Sequence, residues 1–345
     1  MAYTTINDPT DYFNTVLYTG NGSTQSITGV GFQPDWVWQK TRNYDYSQTL
    51  ADVVRGASLN MFTNNTLADQ TVTNGLTSFD SDGFSVGADL GWNASASDRN
   101  SKVAWNFKAG GTASSNTDGS ITSTVSANTT SGFSIVSYTG AGGSSNVGHG
   151  LGVAPNLIIA KNRQSSSLSW FVSCDAIGWT KRLKLDGTNS AALNVAFGDT
   201  NPDSTKFYLQ DNNLNTSGET HIAYCFAEKA GYSKFGSYEG NNATDNAFIY
   251  TGFKPAWVMV KNIDANYGWQ ILDNKRNTYN PADDSLFANL DTAEDVTTGD
   301  DIDFLSNGFK VREGGNSVGD NYTYIYMAFA EHPFVSSTGT PTTAR

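Results

Sequence analysis

The chain has 345 residues, enough to bury more than one hydrophobic core. Its 33 acidic and 21 basic residues leave a net charge of −12, which argues against a nucleic-acid-binding surface, since that needs a basic patch. With 34 glycines, 8 prolines and 12% aromatic residues, the composition suggests ordered cores and many tight turns between short strands rather than global disorder.

Residues 1–10 are polar, without periodicity, and read as a loose N-terminal arm. They show no basic region followed by an apolar run, so no secretory leader is expected. No apolar run approaches the ~20 residues that span a bilayer, so no membrane insertion is expected. A first unit, residues 11–109, opens at Tyr12-Phe13-Asn14-Thr15-Val16-Leu17-Tyr18 followed by Thr19-Gly20. The opening returns as Phe133-Ser134-Ile135-Val136-Ser137-Tyr138-Thr139-Gly140 and as Phe235-Gly236-Ser237-Tyr238-Glu239-Gly240. These place a second unit at residues 132–230 and a third at 231–334. Residues 110–131 are rich in Gly, Ser, Thr and Asn and read as a linker with one extra strand; residues 335–345 read as a frayed tail.

Each unit next carries a Gly, Pro and Lys at fixed spacing: Gly31, Pro34 and Lys40; Gly152, Pro155 and Lys161; Gly252, Pro255 and Lys261. Proline can begin a strand but not sit inside a central one. Behind it Trp36 and Trp38, Leu157 and Ile159, and Trp257 and Met259 share one parity, so each copy reads as a strand pointing large groups into a core. A second strand follows, at Thr49–Arg55, Trp170–Asp175 and Trp269–Arg276. In it an acid precedes a base: Asp52 and Arg55, Asp175 and Lys181 or Arg182, Asp273 and Arg276. Asp82-Gly83 and Asn307-Gly308 then signal hairpins. The units close on Val103–Phe107, Ile222–Phe226 and Ile325–Phe329, with Phe107, Phe226 and Phe329 in register. Short strands without an amphipathic helix imply an all-β chain of three tandem antiparallel β-sandwich, jelly-roll-like repeats.

Several of these stretches together carry a resemblance. They are Val103-Ala104-Trp105-Asn106-Phe107-Lys108-Ala109-Gly110-Gly111, Asp118-Gly119-Ser120-Ile121, Val147-Gly148-His149-Gly150-Leu151-Gly152 and Tyr224-Cys225-Phe226-Ala227-Glu228. The chain resembles, over nearly all of residues 1–334, a repeat family of marine tailed bacteriophages, cyanophages among them, whose members are labelled virion structural or tail-fibre-like proteins. The resemblance implies a virion component made in the host cytoplasm, and it transfers no catalytic residue.

The side chains that could do chemistry neither recur nor cluster. Nucleophilic catalysis needs a Ser or Cys beside a histidine, but His149, His221 and His332 occupy unrelated places in the three units, without a nucleophile elbow. Asp80-Ser81-Asp82 and Asp300-Asp301-Ile302-Asp303 are acidic enough for calcium, yet hairpin turn chemistry accounts for the first and no closing Glu is present. Gly140-Ala141-Gly142-Gly143 lacks the Lys and helix of a phosphate loop. No catalytic residue, metal or cofactor is expected, and the chain is read as not an enzyme. Cys174 and Cys225 are expected as buried free thiols.

The strand-end lysines Lys40, Lys161 and Lys261 share parity with buried residues. They are expected to join the acids Asp52, Asp175 and Asp273 and the bases Arg55 and Arg276 in structural ion pairs. Tyr44, Tyr46, Trp92, Trp179, Tyr267 and Tyr279 fall in loop-like surroundings, where aromatic rings pack locally or else stack on sugars and fill interfaces; they are the binding candidates. The reading is a non-enzymatic virion structural protein of the tail-fibre, receptor-binding kind. A capsid decoration protein, and a carbohydrate-binding module or glycan depolymerase, are the alternatives. Its expected partners are other virion proteins, copies of itself in a homo-oligomer such as a trimer, and host-surface glycan.

Overall fold

Pro34 and Pro155 stand two residues ahead of the strands Trp36–Thr41 and Leu157–Asn162, where a missing N–H costs no ladder bond. Pro255 instead lies inside the longer strand Phe253–Asn262, at a break in its register with Thr323–Pro333, the other place where a sheet tolerates proline. In the computed structural model, which describes residues 3–193, 196–296, 299, 301–314, 316–339 and 341, each of these strands is the middle of a larger antiparallel sheet. On one side of each runs the closing strand of its unit: Ser101–Phe107, Thr220–Phe226 or Thr323–Pro333. Beyond it lies the opening strand, Phe13–Thr19, Phe133–Thr139 or Ser233–Glu239. On the other side run Thr49–Asp52 and Leu59–Phe62, Phe171–Cys174 and Lys181–Lys184, or Trp269–Asp273 and Leu286–Phe287. The same strand order therefore recurs three times, and the protein is all-β with several antiparallel sheets.

A smaller sheet covers one face of each large one. It is Gln25–Thr28 with Gly83–Val86 and Leu76–Asp80 in the first unit, Ser145–Gly148 with Lys206–Leu209 in the second, and Phe248–Tyr250 with Gly308–Val311 and Ile302–Leu305 in the third. Between the two layers sit three separate cores, built for example on Val37 and Phe84, on Ile158 and Phe207, and on Val258 and Phe309. The opposite faces of the three large sheets meet one another. They form a fourth core that contains Trp36, Trp38, Trp105, Trp170, Tyr224, Trp257, Met259 and Trp269. The closing Phe107, Phe226 and Phe329 converge there, their ring centroids 5.1 to 6.3 Å apart. Both parities of the organising strands are thus buried, one in a private core and the other in the shared one.

The recurring tyrosine and glycine of the opening strands have a common cause. Tyr18, Tyr138 and Tyr238 each donate to the carbonyl of a residue in a four-residue helix, Trp92, Leu214 and Val318, at 2.7, 2.8 and 2.7 Å. The glycine two residues on then passes so close to the chain after that helix that a Cβ would lie 2.1 to 2.3 Å from a carbonyl oxygen of Ala94, Thr216 or Asp320. Sequence periodicity did not indicate these short helices, Leu90–Asn93, Asn212–Asn215 and Asn316–Gly319; one turn is too short to show a 3.6-residue pattern.

Three expectations are corrected. Residues 110–131 are no linker with one strand: Ser114–Asn116 and Ser123–Asn128 add two strands to the second large sheet, and Ile121 bridges Val147. The N-terminal segment is no loose arm, since Ile6 enters the shared core and Tyr3 donates to the Gly252 carbonyl at 2.6 Å; residues 1 and 2 lie outside those described. The hairpin turns are Ser81-Asp82 and Ser306-Asn307, not Asp82-Gly83 and Asn307-Gly308, because Asp80 pairs with Gly83 and Leu305 with Gly308. Glycine is required there by crowding: a Cβ at Gly83 or Gly308 would lie 1.9 or 2.0 Å from the carbonyl oxygen of Ile27 or Ile249.

Candidate binding surface

The strand-end lysines lie at the junctions between units, and their partners are not carboxylates. Lys40 Nζ donates to the carbonyls of Thr41, Tyr44 and, from the third unit, Asp291, at 2.7, 3.2 and 3.1 Å. Lys161 donates to Asn162, Ser165 and, from the first unit, Thr66. Lys261 donates to Asn262 and, from the second unit, Thr188. Each unit thus reaches the next in a closed ring. Burial pulls all three lysines down to about 8. The expected lysine–acid ion pairs are therefore replaced by main-chain contacts: the lysine ends its strand, whereas the acid of the neighbouring strand pairs with its start, as Asp52 does with Trp36.

A second ring repeats the pattern. Side-chain nitrogens of Gln48, Trp170 and Trp269 donate to the carbonyls of Phe287, Phe62 and Lys184 in the neighbouring unit. A third joins main chain to main chain, with Asp69 N to Arg163 O, Ala191 N to Ile263 O and Glu294 N to Arg42 O.

Two of the expected ion pairs are present, buried and continued across a junction. Asp52 holds Arg55 at 2.5 Å, accepts from Tyr224 Oη of the second unit at 2.8 Å, and is linked through Arg55 and Asp69 to Arg163. Asp273 holds Arg276 at 2.6 Å, accepts from Trp105 Nε1 of the first unit at 3.0 Å, and is linked through Arg276 and Glu294 to Arg42. Burial works to raise the Asp273 carboxyl, but Arg276 holds it below its usual range. The pair expected at Asp175 is corrected. Strand register makes Cys174 the counterpart of Asp52 and Asp273, since Leu157, Trp36 and Trp257 face these three residues. Asp175 instead accepts from Trp179 Nε1 and Asn156 Nδ2, both at 2.8 Å. Arg182 lies 3.9 Å over the Phe171 ring and 3.7 Å from Asp211. At this third junction the whole relay is apolar: Met327, Cys174, Ile177, Ala191 and Ile263 stand where the others carry Trp or Tyr, Asp, Arg, an acid and Arg.

Four further titratable side chains, His149, His221, Asp82 and Asp303, have local partners. His149 is buried, with Nε2 on the Asp203 carbonyl and Nδ1 accepting from Leu151 N. His221 stacks on Tyr138 with centroids 5.1 Å apart, its Nδ1 donates to the Glu219 carbonyl, and burial pushes it down to about 4. Asp82 accepts from the main-chain N–H groups of Gly29 and Gly31, and Asp303 pairs with Arg312; Asp300 lies outside the described residues. Cys174 and Cys225 are free, buried and in different cores.

The loop aromatics separate into two kinds. Trp92 is fully buried against Phe84, and Trp179 is buried against Phe197, so neither can meet a ligand. Tyr44 is exposed beneath the Arg99 guanidinium, 4.3 Å from its ring. Tyr267 packs on Tyr322. Tyr279 is 84% exposed. Tyr46 lines a cleft of about 410 Å³ at the junction of the first and third units, with Phe62, Leu67 and Val72 as apolar wall and Asp45, Asp89 and Asp291 at its rim. Asp45 and Asp89 are committed to main-chain donors, of Ala293 and of Gly91 and Trp92. The cleft offers apolar side chains beside polar ones. Two exposed aromatics, Phe248 and Tyr250, lie on a strand and not in a loop; their shared parity around the buried Ile249 is the signal for them in the sequence.

The architecture defines an all-β protein whose polar recurrences bind its own units together and whose accessible aromatics lie at its periphery. The chain belongs to a domain family of unknown function, DUF7483, whose model matches residues 8–333. No curated protein and no solved structure matches the chain.

Proposed function

We propose that the chain is a non-enzymatic structural protein of a bacteriophage particle, displayed on the virion and acting in host attachment as a tail-fibre or receptor-binding component. One observation carries this reading: the residues that recur in all three units lock those units into a ring, while Tyr44, Tyr250 and Tyr279 keep their rings exposed on the surface. Such a layout suits a rigid platform that presents its surface to a partner. The three units are read as tandem jelly-roll-like sandwiches, which gives one chain the pseudo-threefold form of a trimer. The partners proposed are neighbouring virion proteins, further copies of the chain and host-surface glycan.

The same ring also suits a head-surface protein seated on a threefold position of a capsid, and labelling separates the two. Gold-labelled antibody against the protein should mark tail tips on intact particles, and purified protein should slow adsorption to the host. Label spread over the capsid would replace attachment by decoration, and no label on washed particles would reject both.

A further inference from the structure

The three units act as one another's control, so a surface residue that breaks their likeness needs its own reason. Phe248 and Tyr250 of the third unit occupy the outer face of the strand Phe248–Tyr250 and are 47% and 54% exposed. Strand register aligns them with Ser26 and Thr28 in the first unit and Asn146 and Gly148 in the second, through the shared inward Ile249, Ile27 and Val147. Small residues at those two positions suffice in the other two units, so the sheet itself does not demand the rings. Exposed aromatic pairs lower solubility unless something uses them.

A cleft of about 420 Å³ opens beside Tyr250. Tyr3, from outside the recurring units, closes one side, its hydroxyl donating to the Gly252 carbonyl at 2.6 Å and lying 3.3 Å from that of Tyr250. Glu228 and Lys234 also line it, paired at 2.8 Å and partly exposed, with Glu228 accepting in addition from Phe235 N at 2.9 Å. A carboxylate acceptor and an ammonium donor side by side match adjacent hydroxyls, each of which can give and take a hydrogen bond. Tyr250 in the same lining supplies an aromatic ring, which suits the C–H face of a sugar. The volume lies within the range of small-ligand sites. The balanced Glu–Lys pair and the chain's net charge of −12 favour a neutral ligand over an anionic one.

We propose that this cleft binds a neutral hexopyranose-containing glycan, its ring stacked on Tyr250 and its hydroxyls held by Glu228 and Lys234. The proposal rests on the attachment reading and deepens it. The test applies the full-length protein to an array of bacterial surface glycans with neutral and with acidic repeats, followed by titration of the best binder. Tyr250→Thr and Phe248→Ser install the residues of the first unit and therefore keep the fold, which circular dichroism checks. Retention of a neutral glycan is expected, weakened at least tenfold by Tyr250→Thr and by Glu228→Gln and unchanged by Tyr46→Ala in the other cleft. Failure to retain any neutral glycan, retention of acidic ones alone, or binding that survives Tyr250→Thr would overturn it. Particle labelling is independent of this result, so a cleft that binds no sugar and a protein absent from the tail are distinct outcomes.

Discussion

At the scale of single residues, the buried lysines are held by main-chain carbonyls rather than by direct carboxylate partners. Lys161 gives its three ammonium protons to three carbonyls, two of its own unit and one of the first. Burial opposes the charge, which is why its pKa falls to about 8, but the cation persists at neutral pH. Lys161→Met keeps the stem and leaves three acceptors without a donor, each costing about 1–3 kcal/mol, partly offset by the released desolvation. A net loss of about 2 kcal/mol in urea unfolding at pH 7 is expected; a loss under about 0.5 kcal/mol would show the contacts to be incidental. His221 gives a pH signature. Its folded value near 4 lies below the ~6.5 of an unfolded histidine, so between those values the unfolded chain binds the extra proton. Stability is therefore full above pH 6.5 and falls as pH drops towards 4, by at most about 1.4 kcal/mol per unit. His221→Phe retains a ring against Tyr138 and should flatten the dependence between pH 6.5 and 5; an unchanged slope would assign it to other groups.

At the scale of elements, the three junctions show two solutions to one packing problem. Two use a buried acid–arginine relay capped by a Tyr or Trp donor, and the third fills the same five positions with apolar side chains. Breaking a buried pair is far worse than replacing it whole, because the survivor is left charged and unpaired. Arg276→Met alone is expected to cost about 3–5 kcal/mol. Transplanting the apolar set into the first relay, with Asp52→Cys, Arg55→Ile, Asp69→Ala, Arg163→Ile and Tyr224→Met together, should stay within about 2 kcal/mol of the parent. Chemical denaturation of both proteins decides it, and a combined variant less stable than Arg276→Met would mean that the relays supply net stability. The same junctions show what the sequence could reveal. The organising strands, the aligned Phe107, Phe226 and Phe329, and the Asp52–Arg55 and Asp273–Arg276 pairs follow from parity and spacing. Spacing points to Asp175 for the third pair, but the ladder places Cys174 at that position. Chemical likeness misleads where a whole network has been exchanged. Trp92 and Trp179 follow the local-packing alternative for a related reason: a polar, Gly-rich neighbourhood resembles a loop even when one helical turn or a local hydrogen bond folds the indole inward.

At the scale of the molecule, alternation can say that a strand face is buried but not what buries it, so the shared core was beyond the sequence. Leu157, Trp170, Tyr224 and Phe226 of the second unit cover side chains of the other two, as in the stacking of Trp36 on Tyr224 with centroids 4.7 Å apart. A unit cut out alone would expose that entire face, at roughly 1.5–3 kcal/mol for each large side chain returned to water. Its private core, between the large and small sheets, would have to stand against the ordering entropy of about a hundred residues without that help. The units should therefore unfold together. Calorimetry of the full chain is expected to give one transition, with van't Hoff and calorimetric enthalpies in agreement. The fragment 110–230 should show no dispersed amide spectrum. Three resolved transitions, or a fragment that folds by itself, would mean that the private cores suffice and that the central aromatic core only docks finished domains.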